Sequence, residues 1–363
     1  MSQIMTVTGP IRPDELGVTS MHEHILYDGS IYHDRFAHLI PEDAPVRPED
    51  KVTLENIGVL NRYAFFISKD ACSMHEEDVM LDELSVFKAS GGSAVVDLSA
   101  PGLRSDLPAI QRISKESGVL VIASTGLYTE DSWPERFKEM SVSDYEQYML
   151  REIAEGIEDT GIRPGHIKIA IEDGPSEQGV KLLKAAARVS METGISATIH
   201  QGTMMTVEEV RPIIDILLGE GMQPDRAVIC HIQDFFVEYD LHKLVSSTDN
   251  WWLNTDFAKE LMDKGLNVSI DCLGHSWTIE AINYINQTDW QRLAGVYKLA
   301  KEGYSGQMVL GTDTFIKTLT RRYGAEGFCR LTNFVIPTLR EADLPEADIR
   351  KMAIENPARI LAH

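Results

Sequence analysis

Cysteine is scarce in this chain. Cys72, Cys230, Cys272 and Cys329 are the 4 among 363 residues, and no two form a Cys-x-x-Cys pair. That scatter argues against a disulfide framework and fits a reducing compartment, so a cytoplasmic location is expected. Long apolar runs are also missing. No stretch reaches the roughly 18 apolar residues of a membrane span, so none is expected. The start, Met1-Ser2-Gln3-Ile4-Met5-Thr6, lacks the basic-then-apolar order of a signal peptide. Positive charge is in deficit: 34 Lys and Arg face 56 Asp and Glu, a formal net charge of -22. This balance disfavours nucleic acid and anionic membrane surfaces as partners and says nothing about a small-molecule substrate. No Gly-x-Gly-x-x-Gly follows the first strand, which weakens a dinucleotide-binding reading. No Gly-x-Ser-x-Gly stands at a strand-to-helix turn, so a serine nucleophile of that type is not expected.

What is present is a rhythm. Short apolar runs occur at 17–26, 93–98, 119–125, 166–171, 195–200, 227–231, 267–271 and 307–313. Helical patterns lie between most of them, at 74–89, 106–117, 143–158, 178–192, 206–219 and 290–302. Strands alternating with helices imply a parallel sheet, and near-continuous apolar runs imply strands covered on both faces. Eight units predict an α/β fold, a closed (β/α)8 TIM barrel; an open doubly wound sheet is the alternative. Length alone suggests two domains, but a barrel with insertions accommodates 1–363 as a single domain. Residues 3–11 read as a short strand ended by Gly9-Pro10 that caps the fold. Residues 27–75 read as an insertion after the first strand, with helical pieces. The tail, 347–361, reads as a helix, a proline break and a last short helix.

Ligand-type side chains recur at the C-terminal ends of these strands. His22 and His24, in Met21-His22-Glu23-His24, sit at i and i+2, where strand side chains share a face. Lys168 lies in the fourth strand, His200 ends the fifth, His231 the sixth, and Asp313 the eighth. Each has an ordinary alternative. A strand-end histidine is often a satisfied polar residue, Lys168 a surface or ion-paired lysine, and Asp313 a helix cap. Recurrence at the rim where barrel enzymes act argues for ligands. Imidazole and carboxylate together suit borderline divalent metals.

This set resembles the phosphotriesterase family of the amidohydrolase superfamily over nearly the whole length. The likeness includes Met21-His22-Glu23-His24, Gly156 to Arg163 before the lysine strand, Lys184-Ala185-Ala186-Ala187-Arg188, and Asn356-Pro357-Ala358-Arg359. The resemblance implies a binuclear metal site. His22, His24 and Asp313 would hold the more buried ion, and His200 and His231 the more exposed one. Lys168, carboxylated, would bridge them. Zinc is the first expectation, with manganese, cobalt or iron as alternatives, and a homodimer is implied. Asp313 would be the base. Asp234 would keep a supporting carboxylate, and Cys272 stands where phosphotriesterases carry a relay histidine.

The same resemblance, to the phosphotriesterase-related and lactonase-like branch, implies substrate residues. Tyr128 is an expected pocket wall, and His275 either a pocket residue or a solvated loop histidine. Lys317, Arg321 and Arg322 would grip an anionic group on the substrate, or pair with acids of so acidic a chain. Trp133, Trp251 and Trp252 would line an apolar rim or fill core. The function expected is metal-dependent hydrolysis of a carboxylic ester, a lactone first, with an amide or a phosphotriester as alternatives. A non-catalytic small-molecule binder is the alternative of another class.

Overall fold

Aliphatic runs covered on both sides build eight parallel strands in a computed structural model that describes residues 2–63 and 65–363. They are β1 Thr19–Glu23, β2 Ala94–Asp97, β3 Leu120–Leu127, β4 His166–Ile171, β5 Ala197–Gln201, β6 Ala227–Ile229, β7 Asn267–Ile270 and β8 Met308–Leu310. They pair in sequence order from β1 to β8. Helices α1 Glu77–Ala89, α2 Leu107–Ser117, α3 Val142–Glu155, α4 Glu177–Thr193, α5 Val207–Gly219, α6 Asp256–Asp263 and α7 Asp289–Lys301 surround the sheet, which is nearly closed into a barrel. Their ends are written locally. Ser141 with Asp144 and Thr206 with Glu209 form capping boxes at α3 and α5. Gly118 and Gly194 take the left-handed turn that ends α2 and α4.

Met21, Ala94, Val96, Ile122, Val228 and Val309 pack with Ile4, Leu16, Ile360 and Leu361 in one buried cluster. Strand residues thus fill the barrel from within, and both chain ends plug its base. Gln3 and His363 exchange two backbone hydrogen bonds of 3.0 Å there. The N-terminal segment is a hairpin, Ile4–Thr6 against Gly9–Ile11, so Gly9-Pro10 opens its second arm and does not end a lone strand. The tail runs helically from Glu346 to Leu361, through a wide turn at Lys351–Glu355. Pro357 falls in the first turn of its last segment, where its missing N–H does no harm. Among the described residues no helix is long and apolar enough to cross a membrane.

Two features position the site. Tyr27–Asp28 pairs antiparallel with Ser73–Met74, which gathers the 27–75 insertion at its base beside the end of β1. Its short helices, Ile31–Phe36 and Ile57–Tyr63, stand on that base. The seam between β8 and β1 closes just past the strand ends, where Asp313 N donates to His22 O at 2.8 Å. Glycine is needed at this seam, since a Cβ on Gly311 would lie 2.7 Å from His22 Cβ and 2.9 Å from its nitrogen. Gly311→Ala is therefore expected to overpack the seam and lower the urea unfolding midpoint, by about 1–3 kcal/mol of stability. An unchanged midpoint would mean that the seam is slack.

Candidate metal centre

Three consecutive strands end in the same unusual way. His231, Cys272 and Asp313 follow β6, β7 and β8 with φ of 56°, 55° and 50°. That left-handed turn costs a side-chain-bearing residue about 1–2 kcal/mol. Such strain persists where surrounding structure holds it, and it concentrates at functional sites. His22 and His24 come from β1 and the residue after it, Lys168 from within β4, and His200 from β5. All of the six residues expected to bind metal are buried, and Lys168 completely so.

Their hydrogen bonds fix which atoms face one another. His22 Nδ1 donates to Asp271 Oδ2 at 2.9 Å, and His231 Nδ1 to Asp271 Oδ1 at 2.6 Å. One carboxylate therefore orients two rings from different strands. His24 Nδ1 meets Ser99 Oγ at 2.9 Å, and His200 Nε2 lies 3.6 Å from Glu172 Oε2. With their outer nitrogens held, the rings present His22 Nε2, His24 Nε2, His200 Nδ1 and His231 Nε2 inward. His231 Nε2 and His200 Nδ1 are 2.8 Å apart. His22 Nε2 and His24 Nε2 lie 3.5 and 3.4 Å from Asp313 Oδ1. Lys168 Nζ lies 3.3 Å from His22 Nε2.

This donor set suits divalent cations. The donor atoms of His22, His24 and Asp313 all lie within 4.8 Å of one another. The surroundings also favour positive charge. Burial and Lys168 oppose protonation of His22, yet Asp313, Cys230 and Asp271 raise it to about 9. Burial, helped by the charges of His22 and Lys168 and opposed by Asp313, holds His24 down at about 4, which keeps a lone pair free. Burial opposes ionisation of Asp313 and Asp271, but the neighbouring histidines hold both well below the usual carboxylate range. Behind β1, burial lifts Glu23 to about 7 even though Ser20 and Thr312 donate to it. Glu23 also accepts from Thr314 N at 3.0 Å, so it fixes the backbone on both sides of Asp313.

A cavity of about 360 Å³ opens above these atoms. The insertion supplies Tyr32, Arg35, Phe36, Phe65 and Phe66 to its wall; Tyr128, Trp277, Tyr284 and Phe315 come from other loops. Tyr128 takes its expected place, with its hydroxyl 2.5 Å from that of Tyr32 and its ring centroid 5.3 Å from His200. His275 lines the cavity too and is buried, with Nε2 donating to the Asp313 carbonyl at 2.9 Å. Burial lowers it to about 4. Cys272 Sγ lies 3.4 Å from Asp313 Oδ2.

Other expectations are corrected. Lys317, Arg321 and Arg322 do not line the cavity. Lys317 is buried between Asp70 at 2.7 Å and Glu76 at 2.6 Å. Arg321 pairs with Asp82 at 2.9 Å and Arg322 with Asp78 at 3.1 Å, both acids of α1. The Asp234 carboxylate makes no hydrogen bond to Cys272 or Asp313. It accepts from Tyr239 at 2.9 Å, and burial lifts it to about 7. Trp133 is buried and donates to Tyr128 O at 2.7 Å, while Trp251 and Trp252 are exposed and lie outside the cavity. Sequence reasoning assigned no role to Asp271, Glu172, Arg35 or Trp277. Asp271 had a signal, since it too ends an apolar strand; Glu172 and Trp277 come from loops, and Arg35 from a short helix, that carry no motif.

Asp271→Asn should loosen both rings it holds. Metal affinity, read by competition with a chromophoric chelator, is expected to fall about 10- to 100-fold, the usual loss for removing such an outer partner. Unchanged affinity would show that the rings are held from elsewhere.

Comparison with known proteins places this geometry. The Phosphotriesterase family profile matches residues 2–361. An N-acetyltaurine hydrolase from Salmo salar is 25% identical over 366 residues, which cover 99% of this chain and 97% of that protein. A crystal structure of a resiniferatoxin-binding protein from Rhodobacter sphaeroides superposes with a TM-score of 0.85 at 26% identity, covering 99% of this chain and 94% of the other. A lactonase from Listeria monocytogenes shares the fold, with a TM-score of 0.76 at 21% identity and 99% of both chains covered. A profile match that begins and ends with the barrel, on a chain whose strand ends gather this donor set, leads to one conclusion: the chain belongs to the phosphotriesterase family.

Proposed function

We propose that the protein is a metal-dependent hydrolase of carboxylic acid derivatives, an amide before a lactone. The observation that carries this reading is the inward convergence of four imidazole nitrogens and Asp313 beneath an aromatic cavity. A pure binder, as the name of the Rhodobacter sphaeroides protein would suggest, has no use for such a floor. The bond order is revised from the sequence expectation. The N-acetyltaurine hydrolases, at about a quarter identity over the whole chain, favour an amide. The lactonase likeness, at 21%, speaks to fold alone.

In this reading His22, His24 and Asp313 would hold one divalent ion, and His200 and His231 a second. Lys168, as its carbamate, would join the two sets of donors. A bare ammonium there would be fully buried with no carboxylate partner among the described residues, which is costly. Carboxylation makes it an anion that cations neutralise. Bound ions supply Lewis acidity for a carbonyl oxygen and lower the pKa of water. Asp313 accepts the proton of the attacking water, and the Cys272 thiol beside Oδ2 orients it. The cavity above excludes bulk water and holds the acyl group against its rings.

Lys168→Ala is expected to lose most of about two zinc equivalents by elemental analysis, the count that this imidazole-rich donor set implies. A short carboxylic acid should restore part of the metal and of the rate. Full metal content without rescue would remove the bridge. In a panel of N-acyl amides, lactones and a neutral aryl phosphate triester, the best carbonyl substrate should exceed the triester by at least about tenfold in kcat/KM. Asp313→Asn should lower kcat on it by about 10² or more. A triester ranked first, or an Asp313→Asn enzyme at full metal and full rate, would refute the assignment.

A further inference from the structure

The scissile bond must lie over the imidazoles, so the rest of a substrate meets the cavity wall, and the charges on that wall select it. Histidines apart, Arg35 is the only basic residue among the described lining residues. Two of its nitrogens are committed by hydrogen bonds, and the third, Nη1, makes none but faces a carboxylate. Nε donates to Asp131 Oδ2 at 2.8 Å, and Nη2 to Asp131 Oδ1 and, at 2.6 Å, to Thr129 Oγ1. Nη1 lies 3.3 Å from Glu172 Oε2. Two carboxylates thus answer one guanidinium, which is 14% exposed in its side chain. Asp173, next to Glu172, is exposed on the lining and has no hydrogen bond or ion pair among the described residues.

The remaining wall is aromatic. Tyr32, Phe36, Phe65, Tyr128, Trp277 and Tyr284 line it, and two of these rings already face a cation: the Arg35 guanidinium carbon stands 5.3 Å from the Tyr32 centroid and 5.9 Å from that of Phe36. A ring face attracts positive charge and repels negative charge. Carboxylates at the mouth act in the same sense.

We propose that the substrate carries, beyond its scissile carbonyl, an organic cation, an alkylammonium or quaternary ammonium group, seated between Asp173, Glu172 and the aromatic faces. This rests on the hydrolase reading above and names the substrate class for that cavity. N-acetyltaurine presents an amide bond with a sulfonate beyond it; here the bond is of the same kind and the charge beyond it is opposite.

The test separates charge from catalysis. Metal-loaded protein at pH 8 is titrated calorimetrically with benzyltrimethylammonium, benzyl alcohol and benzenesulfonate, none of which can be hydrolysed. The ammonium is expected to bind at least about tenfold tighter than the alcohol, with the sulfonate weakest. Asp173→Asn and Glu172→Gln should each shrink the ammonium-to-alcohol affinity ratio by about threefold or more. Alcohol or sulfonate binding as tightly as the ammonium, or a ratio unmoved in both variants, overturns the proposal. Turnover of the N-acetyl amides of 1,3-diaminopropane, propylamine and taurine is measured in parallel. Fastest turnover of the diamine derivative supports the proposal, and fastest turnover of N-acetyltaurine overturns it. Selective ammonium binding without turnover of any amide supports the charge assignment and removes the amide assignment alone.

Discussion

One carboxylate holds the centre of this barrel together. Asp271, at the end of β7, accepts from His22 on β1 and from His231 after β6. It also accepts from the backbone of His231 at 3.2 Å and from the Gln233 side chain at 3.1 Å. A charge so buried is tolerated only when every lone pair is answered, and here each is. The orientation of both rings follows from it, and so does the direction of their inward nitrogens. The left-handed turns at His231 and Asp313 lie on either side of this anchor in the chain. Their strain is sustained by hydrogen bonds that the backbones of His231, Thr312 and Thr314 donate to Asp271 and Glu23.

Below this anchor the barrel is apolar and filled; above it the character changes within a few ångströms. The base cluster of Met21, Val96, Ile122 and Val309 gives way to imidazoles, carboxylates and Lys168. Burial is common to both layers, so what differs is how polar groups are satisfied. The seam at Gly311 belongs to both. It lets β8 approach His22 closely enough for Asp313 N to reach the His22 carbonyl, which sets the distance from Asp313 Oδ1 to the two β1 nitrogens. Closure of the sheet and assembly of the ligands are therefore one event.

The strands were legible because each is covered on both faces and so reads as an unbroken apolar run. Residues 166–171 coincide with β4 at both ends. The candidate ligands other than Lys168 were legible because they stop those runs at one rim. Helix α6 was not, since eight residues between β6 and β7 are too few for a clear helical period. The destination of Lys317, Arg321 and Arg322 was equally hidden. Their partners at Asp70, Glu76, Asp82 and Asp78 lie more than two hundred residues earlier, and only the packing of α1 against the loop after β8 brings them together. The cavity wall could not be read either, because eight of the 25 lining residues come from the 27–75 insertion, whose aromatic residues have no periodicity pointing to a shared face.

Charge scarcity links these observations. A chain with 34 basic and 56 acidic residues has few cations to place, and folding commits them where acids crowd. Lys317 braces the insertion against α1, and Arg35 ties the insertion to the loops after β3 and β4. Both were free to meet a substrate in the linear sequence, and neither is free in the fold. What is left to discriminate substrates is the complement of that usage: aromatic faces and the carboxylate of Asp173 at the mouth. The floor can keep one bond-cleaving arrangement across a family while the insertion and loops change what reaches it, since none of the groups that orient the imidazoles except Glu172 belongs to that wall. Glu172 is the exception that couples the two, because the same oxygen faces His200 and Arg35.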